Sequence, residues 1–261
     1  MVKFCVLASG SSGNSAFLST SRTRVLVDAG LSLRELGKRL ESIAESHEQL
    51  DAILITHEHS DHVSGLLRLM RACLKAKRRV PVYLTRLTAP MIDWEEIEAP
   101  IEMFQAGMRF RIGDIDVESF SIPHDASDPV GFCFGAEGIR IGLATDLGYL
   151  PDSIRFHLRG VNVLLLESNH DIEMLKVGPY PWVVKQRVMG RRGHLSNDMV
   201  CDYLANDFCS STTAVVLGHL SEHNNHPEIV RMGAEAALSS RAHGAKLVIA
   251  EQSRPSEVFA F

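Results

Sequence analysis

The sequence offers little from which to build a covalent scaffold. Its five cysteines (Cys5, Cys73, Cys133, Cys201 and Cys209) are odd in number and scattered, and no two stand in a CxxC spacing. This argues against a disulfide framework and against a cysteine zinc site, and leaves buried thiols in a reducing cytoplasm as the expectation. No apolar run approaches the roughly 20 residues of a membrane span. The opening stretch, Met1-Val2-Lys3-Phe4-Cys5-Val6-Leu7-Ala8, has one Lys and too short an apolar segment for an export signal. Basic charge is not in excess either: 27 Lys and Arg against 32 Asp and Glu give a net charge of −5. A bulk-basic nucleic-acid coat is thereby excluded, and any basic contact surface must be local. Hydrophobic residues at 45% and charged residues at 23% are ordinary for a globular chain, which rules out wholesale disorder. A length of 261 residues suits one compact α/β domain spanning residues 1–261. Histidine is what stands out, because the 12 histidines cluster.

Strand and helix patterns alternate in the first third. Lys3 to Ala8 reads as a strand, followed by a small-residue loop from Ser9 to Ser15. Ala16–Ser19 and Arg24–Asp28 read as paired strands around Thr20-Ser21-Arg22. Ser32 opens a helix with Leu33, Leu36, Leu40 and Ile43 at helical spacing. Asp51–Thr56 is an apolar strand running into His57, and Val63–Ala76 is a helix with Leu66, Leu67, Met70 and Leu74 on one face. The middle is strand-rich: Val80–Thr85, Ile101–Phe104, Met108–Ile112, Ile115–Ile122, Val130–Ala136 and Ile139–Thr145. The continuous apolar run Val161–Glu167 predicts a strand buried on both faces. A helix over Ser196–Asn206, a strand over Ala214–Gly218, a helix over Pro227–Arg241 and a strand over Lys246–Ala250 complete the pattern. The segment Ile172–Gly193, with Gly178-Pro179-Tyr180-Pro181, reads as a surface loop or bent helices. Two strand-rich halves, each needing a helical cover, predict a four-layer αββα sandwich.

Thr56-His57-Glu58-His59-Ser60-Asp61-His62 is the sharpest chemical signal. Three imidazoles and a carboxylate fall within six residues at the end of an apolar strand. That donor set suits zinc, or a manganese or iron site of similar geometry. His57 and His59 can converge on one ion, while Asp61 and His62 can serve a second.

Thr-His-x-His-x-Asp-His after a strand resembles the signature of the metallo-β-lactamase fold superfamily, and the later landmarks follow in order along essentially the whole chain. Asp28 in Arg24-Val25-Leu26-Val27-Asp28-Ala29-Gly30 is similar to the early structural Asp of that fold. The resemblance implies His57, His59 and His124 as ligands of one cation, Asp61, His62 and His219 as ligands of another, and Asp146 between them. Two adjacent divalent cations activate water and clamp the oxygens of a displacement, which means hydrolysis of an acyl group or of a phosphodiester. Fold alone does not choose between them. Glu167 in Leu166-Glu167-Ser168-Asn169-His170-Asp171, then Gly193-His194-Leu195-Ser196-Asn197, then His219-Leu220-Ser221 resemble the nuclease branch, such as ribonuclease Z. There the Glu and the extra His are associated with proton transfer, so Asp61, Glu167 and His194 are the implied catalytic residues. Read from the residues alone, the alternative is that His194 is a helix-cap residue and Glu167 a capping acid.

The narrowest resemblance is to the YycJ (WalJ) type of single-domain DNA exonucleases, regarded as acting from 5′ ends. It rests on Ala8-Ser9-Gly10-Ser11-Ser12-Gly13-Asn14-Ser15, the Glu-Ser-Asn-His-Asp and Gly-His-Leu-Ser-Asn motifs, and Gly218-His219-Leu220-Ser221 with Asn224-Asn225. The implied activity is a dinuclear zinc or manganese phosphodiesterase, cytoplasmic, with a nucleic-acid substrate, DNA favoured over RNA. Donors from Ser11, Ser12, Gly13, Asn14, Ser221 and Asn224 would form a phosphate pocket, although the Ser/Gly loop is also readable as a plain turn. Lys176, Lys185, Arg187, Arg191 and Arg192, interleaved with Tyr180 and Trp182, would guide the strand or form a solvated face. Only 72 residues lie between Asp146 and His219, too few for the inserted domain of β-CASP nucleases. Rival activities with the same ligands are a thiolester hydrolase of the glyoxalase II type and an RNA-processing nuclease of the ribonuclease Z type. The first has no use for Glu167 and His194. His47, His157 and His243 are expected to be surface or satisfied residues.

Overall fold

The computed structural model describes residues 1–94, 97–98, 100–240 and 244–261. The expected end of the last helix, Arg241, and His243 lie outside the described residues. The strands are β1 (Lys3–Ala8), β2 (Ser15–Ser19), β3 (Arg24–Val27), β4 (Ala52–Leu54), β5 (Val82–Thr85), β6 (Ile101–Phe104), β7 (Arg109–Ile112), β8 (Ile115–Ser121), β9 (Val130–Ala136), β10 (Ile139–Ala144), β11 (Val163–Glu167), β12 (Ala214–Gly218), β13 (Lys246–Ile249) and β14 (Phe259–Ala260). The helices are α1 (Leu33–Ser42), α2 (Ser60–Val63), α3 (Leu66–Lys75), α4 (Asp152–His157), α5 (Ile172–Val177), α6 (Trp182–Val188), α7 (Asn197–Asn206) and α8 (Pro227–Ser240).

Two mixed seven-stranded sheets result, ordered β14-β1-β2-β3-β4-β5-β6 and β13-β12-β11-β10-β9-β8-β7. The chain divides into two compact units. One comprises Met1–Ser119, Ala126–Val130 and Glu251–Phe261, and the other Phe120–Asp125 and Gly131–Ala250. In the first unit, β3, β4 and β5 run parallel, and the core gathers Leu7, Phe17, Leu26, Ile53 and Leu84 with Leu36 and Leu40 of α1. In the second, β10, β11, β12 and β13 run parallel, and the core gathers Leu164, Leu166, Val215 and Leu217 with Tyr203 and Leu204 of α7 and Val230 and Ala234 of α8. Every residue of β11 and β12 is buried, as their unbroken apolar runs require.

The expected helix over Val63–Ala76 is corrected. Residues 60–63 form their own turn of helix, and the longer helix starts at Leu66 after Gly65. With that start the i, i+3, i+4, i+7 stripe is Leu66, Leu69, Met70 and Cys73, while Leu67 and Leu74 are half-buried. Ile172–Gly193 contains two short helices, α5 and α6. No described helix is long and apolar enough to cross a membrane. None of the five cysteines is in a disulfide.

One glycine controls how closely the first unit packs around the histidine motif. A Cβ on Gly30 would stand 1.7 Å from the Asp61 carbonyl oxygen and 2.7 Å from the Asn14 backbone nitrogen. Gly30→Ala must therefore displace backbone rather than a side chain. Overpacking of this kind costs about 1–3 kcal/mol or more. The variant should unfold at lower urea and lose bound metal, and an unchanged midpoint with full metal content would contradict this packing.

Candidate metal centre

Parallel strands place functional groups at their carboxyl ends, where open α/β sheets bind ligands. In the first unit β3 leads to Asp28 and β4 to Thr56 and His57. In the second, the register pairs Ala144 with Leu166 and Glu167 with Gly218, so Asp146, Glu167 and His219 leave three adjacent strands side by side. Asp28, Asp146 and His219 all adopt left-handed backbone, with φ of 60°, 61° and 56°. For a non-glycine residue this costs about 1–2 kcal/mol, and strain of this kind concentrates at functional sites. The other non-glycine residues with positive φ (Ala44, Lys77 and Glu137) lie in turns.

In the first unit, His57 and His62 are fully buried. Asp28 accepts from the Thr56 backbone N–H at 2.8 Å and lies 2.8 Å from His62 Nδ1. A carboxylate against Nδ1 fixes the proton there and turns the Nε2 lone pair toward a cation. His62 Nε2 is 3.4 Å from Asp61 Oδ2, and His57 Nδ1 lies 3.0 Å from Thr56 Oγ1. The rings of His57 and His59 meet edge to face at 4.6 Å. Asn14, expected among the phosphate-pocket donors, also braces these candidate ligands: its Nδ2 lies 3.0 Å from Asp61 Oδ2 and 3.1 Å from His62 Nε2. Its Oδ1 accepts from Gly10 N–H at 2.9 Å.

The Ser/Gly loop thus adjoins Asp61 and His62. Its Ser12 N–H donates to Gln252 Oε1 and its Gly13 carbonyl accepts from Gln252 Nε2, both at 2.9 Å. The side chains of Ser11 and Ser12 are exposed. Gln252 escaped the sequence reading, since it lies beyond the last predicted strand and grips only main-chain atoms.

In the second unit, Glu167 is completely buried. Its Oε1 lies 2.7 Å from both His194 Nδ1 and His219 Nδ1, and its Oε2 accepts from the backbone N–H groups of Leu147 at 3.0 Å and Leu195 at 3.1 Å. Burial pushes the Glu167 carboxyl up, but the His194 charge and the hydrogen bonds from His194 and His219 outweigh it and hold it below the ordinary carboxylate value. Burial would lower the His194 imidazole, yet the Glu167 charge and hydrogen bond raise it above the usual histidine value. Asp146 Oδ1 lies 3.3 Å from His219 Nδ1 and 3.9 Å from His124 Nε2, and His124 Nδ1 faces the Gly193 carbonyl at 3.1 Å. Ligand atoms of Asp146, Glu167, His194 and His219 all lie within 4.8 Å of one another.

Ser221 and Asn224 are both buried, and the Ser221 hydroxyl accepts from the Asn224 backbone N–H at 3.2 Å. His47 opens a short 3-10 helix, and His157 stacks on Phe120 with ring centroids 4.9 Å apart. In each unit the donor chemistry fits a divalent cation: imidazoles anchored through Nδ1 present Nε2, and carboxylates stand beside them.

The β-lactamase superfamily domain profile matches residues 23–207. The chain is 37% identical over 248 residues to the exodeoxyribonuclease YycJ of Bacillus anthracis, covering 92% of this chain and 90% of that one. It is 38% identical over 235 residues to the exodeoxyribonuclease WalJ of Streptococcus pneumoniae serotype 2, covering 88% and 86%. The metallo-β-lactamase fold protein YhfI of Bacillus subtilis superposes with a TM-score of 0.77 at 16% identity, over 99% of this chain and 98% of that one. Human tRNase Z, short form, superposes with a TM-score of 0.67 at 15% identity, over 99% and 100%, a likeness of fold alone. The chain belongs to the β-lactamase superfamily, and within it to the family of YycJ and WalJ. The fold class expected from the sequence is the one found, and the chain is a metal-dependent hydrolase of the nuclease branch.

His170, in the Glu-Ser-Asn-His-Asp motif, is 2% exposed, and its Nδ1 has no hydrogen-bond partner among the described residues. Protonation would bury a charge, so burial lowers its pKa to about 4, with Glu167 opposing. The unfolded chain, with an ordinary histidine pKa of about 6.5, takes the proton first as pH falls. The stability contributed by neutral His170 is therefore complete above about pH 6.5 and is lost toward pH 4. The loss is about 2–3 kcal/mol. Urea unfolding from pH 7 to 4 should fall less steeply for His170→Gln by that amount, and parallel pH profiles would contradict the assignment.

Proposed function

We propose that the chain is a DNA exonuclease acting from 5′ ends with the help of two divalent cations, zinc or manganese. The residues that would hold them are His57, His59, Asp61 and His62 in the first unit and His124, Asp146 and His219 in the second. When bound, the cations would supply Lewis acidity toward the scissile phosphate and lower the pKa of water. Support for DNA as substrate comes from the names of the relatives YycJ and WalJ.

The observation that carries phosphodiester chemistry is the His194–Glu167 pair at 2.7 Å. A sugar alkoxide is a far stronger base than a thiolate and needs a proton as it leaves. Glu167 keeps His194 protonated through Nδ1, so Nε2–H is the donor for that oxygen. His194 retains 20% side-chain exposure, enough to meet a substrate, whereas Glu167 is sealed. A thiolester hydrolase, whose leaving thiolate is stable, would have no need of this dyad. The exposed hydroxyls of Ser11 and Ser12 extend from the loop that braces Asp61 and His62, and there they would receive the terminal phosphate.

His194→Ala should lower cleavage of 5′-phosphorylated DNA oligonucleotides by about 10²–10⁴-fold with metal content intact, and the unaltered protein should show negligible thiolester hydrolysis. Undiminished cleavage in the variant would remove the proton-donor role, and metal loss would make His194 a ligand. Replacing Ser11 and Ser12 together with Ala should erase a preference for 5′-phosphate over 5′-hydroxyl ends, read as the ratio of initial rates. Equal rates on both ends in the unaltered protein would eliminate the pocket.

A further inference from the structure

α6 is amphipathic in the wrong sense for a helix that merely covers a core. Its one inward side chain is Lys185, whose Nζ donates to the Lys176 carbonyl at 2.7 Å. Trp182 and Val183 point outward with 60% and 75% exposure, and Val177 at the end of α5 is 85% exposed. A surface helix ordinarily buries its apolar stripe, and exposed apolar groups gathered in one place mark a contact surface.

Two features say what that contact is. The first is charge. From residue 174 to 197 there is no Asp or Glu and there are five basic residues, of which Lys185 is buried and Lys176 pairs with Glu173, leaving three arginines on the surface. Arg187 is exposed on α6 itself, one turn from Val183, and Arg191 and Arg192 are exposed shortly after the helix ends. A polyanion with flat apolar faces suits this surface. The second is continuity with the site. The Val188 carbonyl, at the end of α6, accepts the His194 N–H at 2.9 Å, and Arg187 pairs with Asp125, the neighbour of His124. Trp182 stands about 9 Å along the helix from Val188, a distance a few nucleotides span. Tyr180 is engaged edge-on with His223 and Arg191 lies over the Tyr149 ring, so the uncommitted aromatic surface is the indole.

We propose that α6 is a base-stacking ledge, on which Trp182, flanked by Val183, receives unpaired bases of the DNA strand being degraded. The inference rests on the nuclease reading of the site, and its test is a binding measurement that needs no turnover. The probe is a 5′-phosphorylated single-stranded oligonucleotide with phosphorothioate linkages, which resist cleavage, labelled at its 3′ end and read by fluorescence anisotropy.

Trp182→Ala should weaken binding by about 5- to 150-fold, the range that base–aromatic stacking supplies, and Trp182→Phe should retain most of the affinity. Oligonucleotides carrying one abasic site, moved stepwise from the 5′ end, should bind the unaltered protein more weakly at one or two positions. Trp182→Ala should be blind to those positions. Unchanged affinity in Trp182→Ala, or an abasic penalty that persists in it, would overturn the ledge. Equal weakening for intact and abasic strands would do the same, by reducing Trp182 to a structural role. If instead ordinary phosphodiester oligonucleotides remain uncleaved while the stacking signature is present, the nuclease reading fails and the ledge stands.

Discussion

Glu167 ends a fully buried strand, and the chemistry of the second unit hangs on keeping it charged there. An isolated carboxylate in such a place would protonate. Four donors prevent this: the Nδ1 groups of His194 and His219 on Oε1, and the backbone N–H groups of Leu147 and Leu195 on Oε2. The same contacts do more than satisfy the charge. They fix the proton of each imidazole on Nδ1, which sets His219 Nε2 for the proposed ligand role and His194 Nε2–H for the proposed donor role. Asp28 plays the equivalent part in the first unit, where it bonds the Thr56 backbone and anchors His62 through Nδ1. In both units a carboxylate behind the imidazole sets what its far nitrogen can do.

Backbone strain marks the same places. Asp28, Asp146 and His219 take left-handed conformations at strand ends, where glycine would be the comfortable choice. Glycine has no carboxylate or imidazole to offer, so the side chain at these positions is kept at the expense of backbone strain, as at functional sites generally. Gly30 shows the complement: there the backbone of α2 comes so near that no side chain fits.

The candidate ligand motif was legible because its donors lie within six residues, directly after an apolar strand. Asp28, His124, Asp146 and His219 were legible only through resemblance, since each is a single residue at a strand end. The His194–Glu167 contact joins residues 27 apart, and sequence left both of them open to a capping role. Five features were less legible or not legible at all. α4 is six residues long, too short to show a period, and β14 has only two residues. α6 confounded the pattern because its apolar residues face outward and a lysine faces inward. Asn14 and Gln252 act through contacts to groups far away in the chain, 47 and 240 residues in the two cases, which no local pattern encodes.

In the proposed function the buried Glu167 charge makes His194 a proton donor beside the candidate metal ligands. Its most direct test is Glu167→Gln, which keeps the shape and removes the charge, with DNA cleavage rate and metal content measured on the same preparation. The account predicts cleavage at least about a hundredfold slower per bound metal ion, the loss expected when a general acid is disabled. Cleavage at the unaltered rate with unaltered metal content would contradict it.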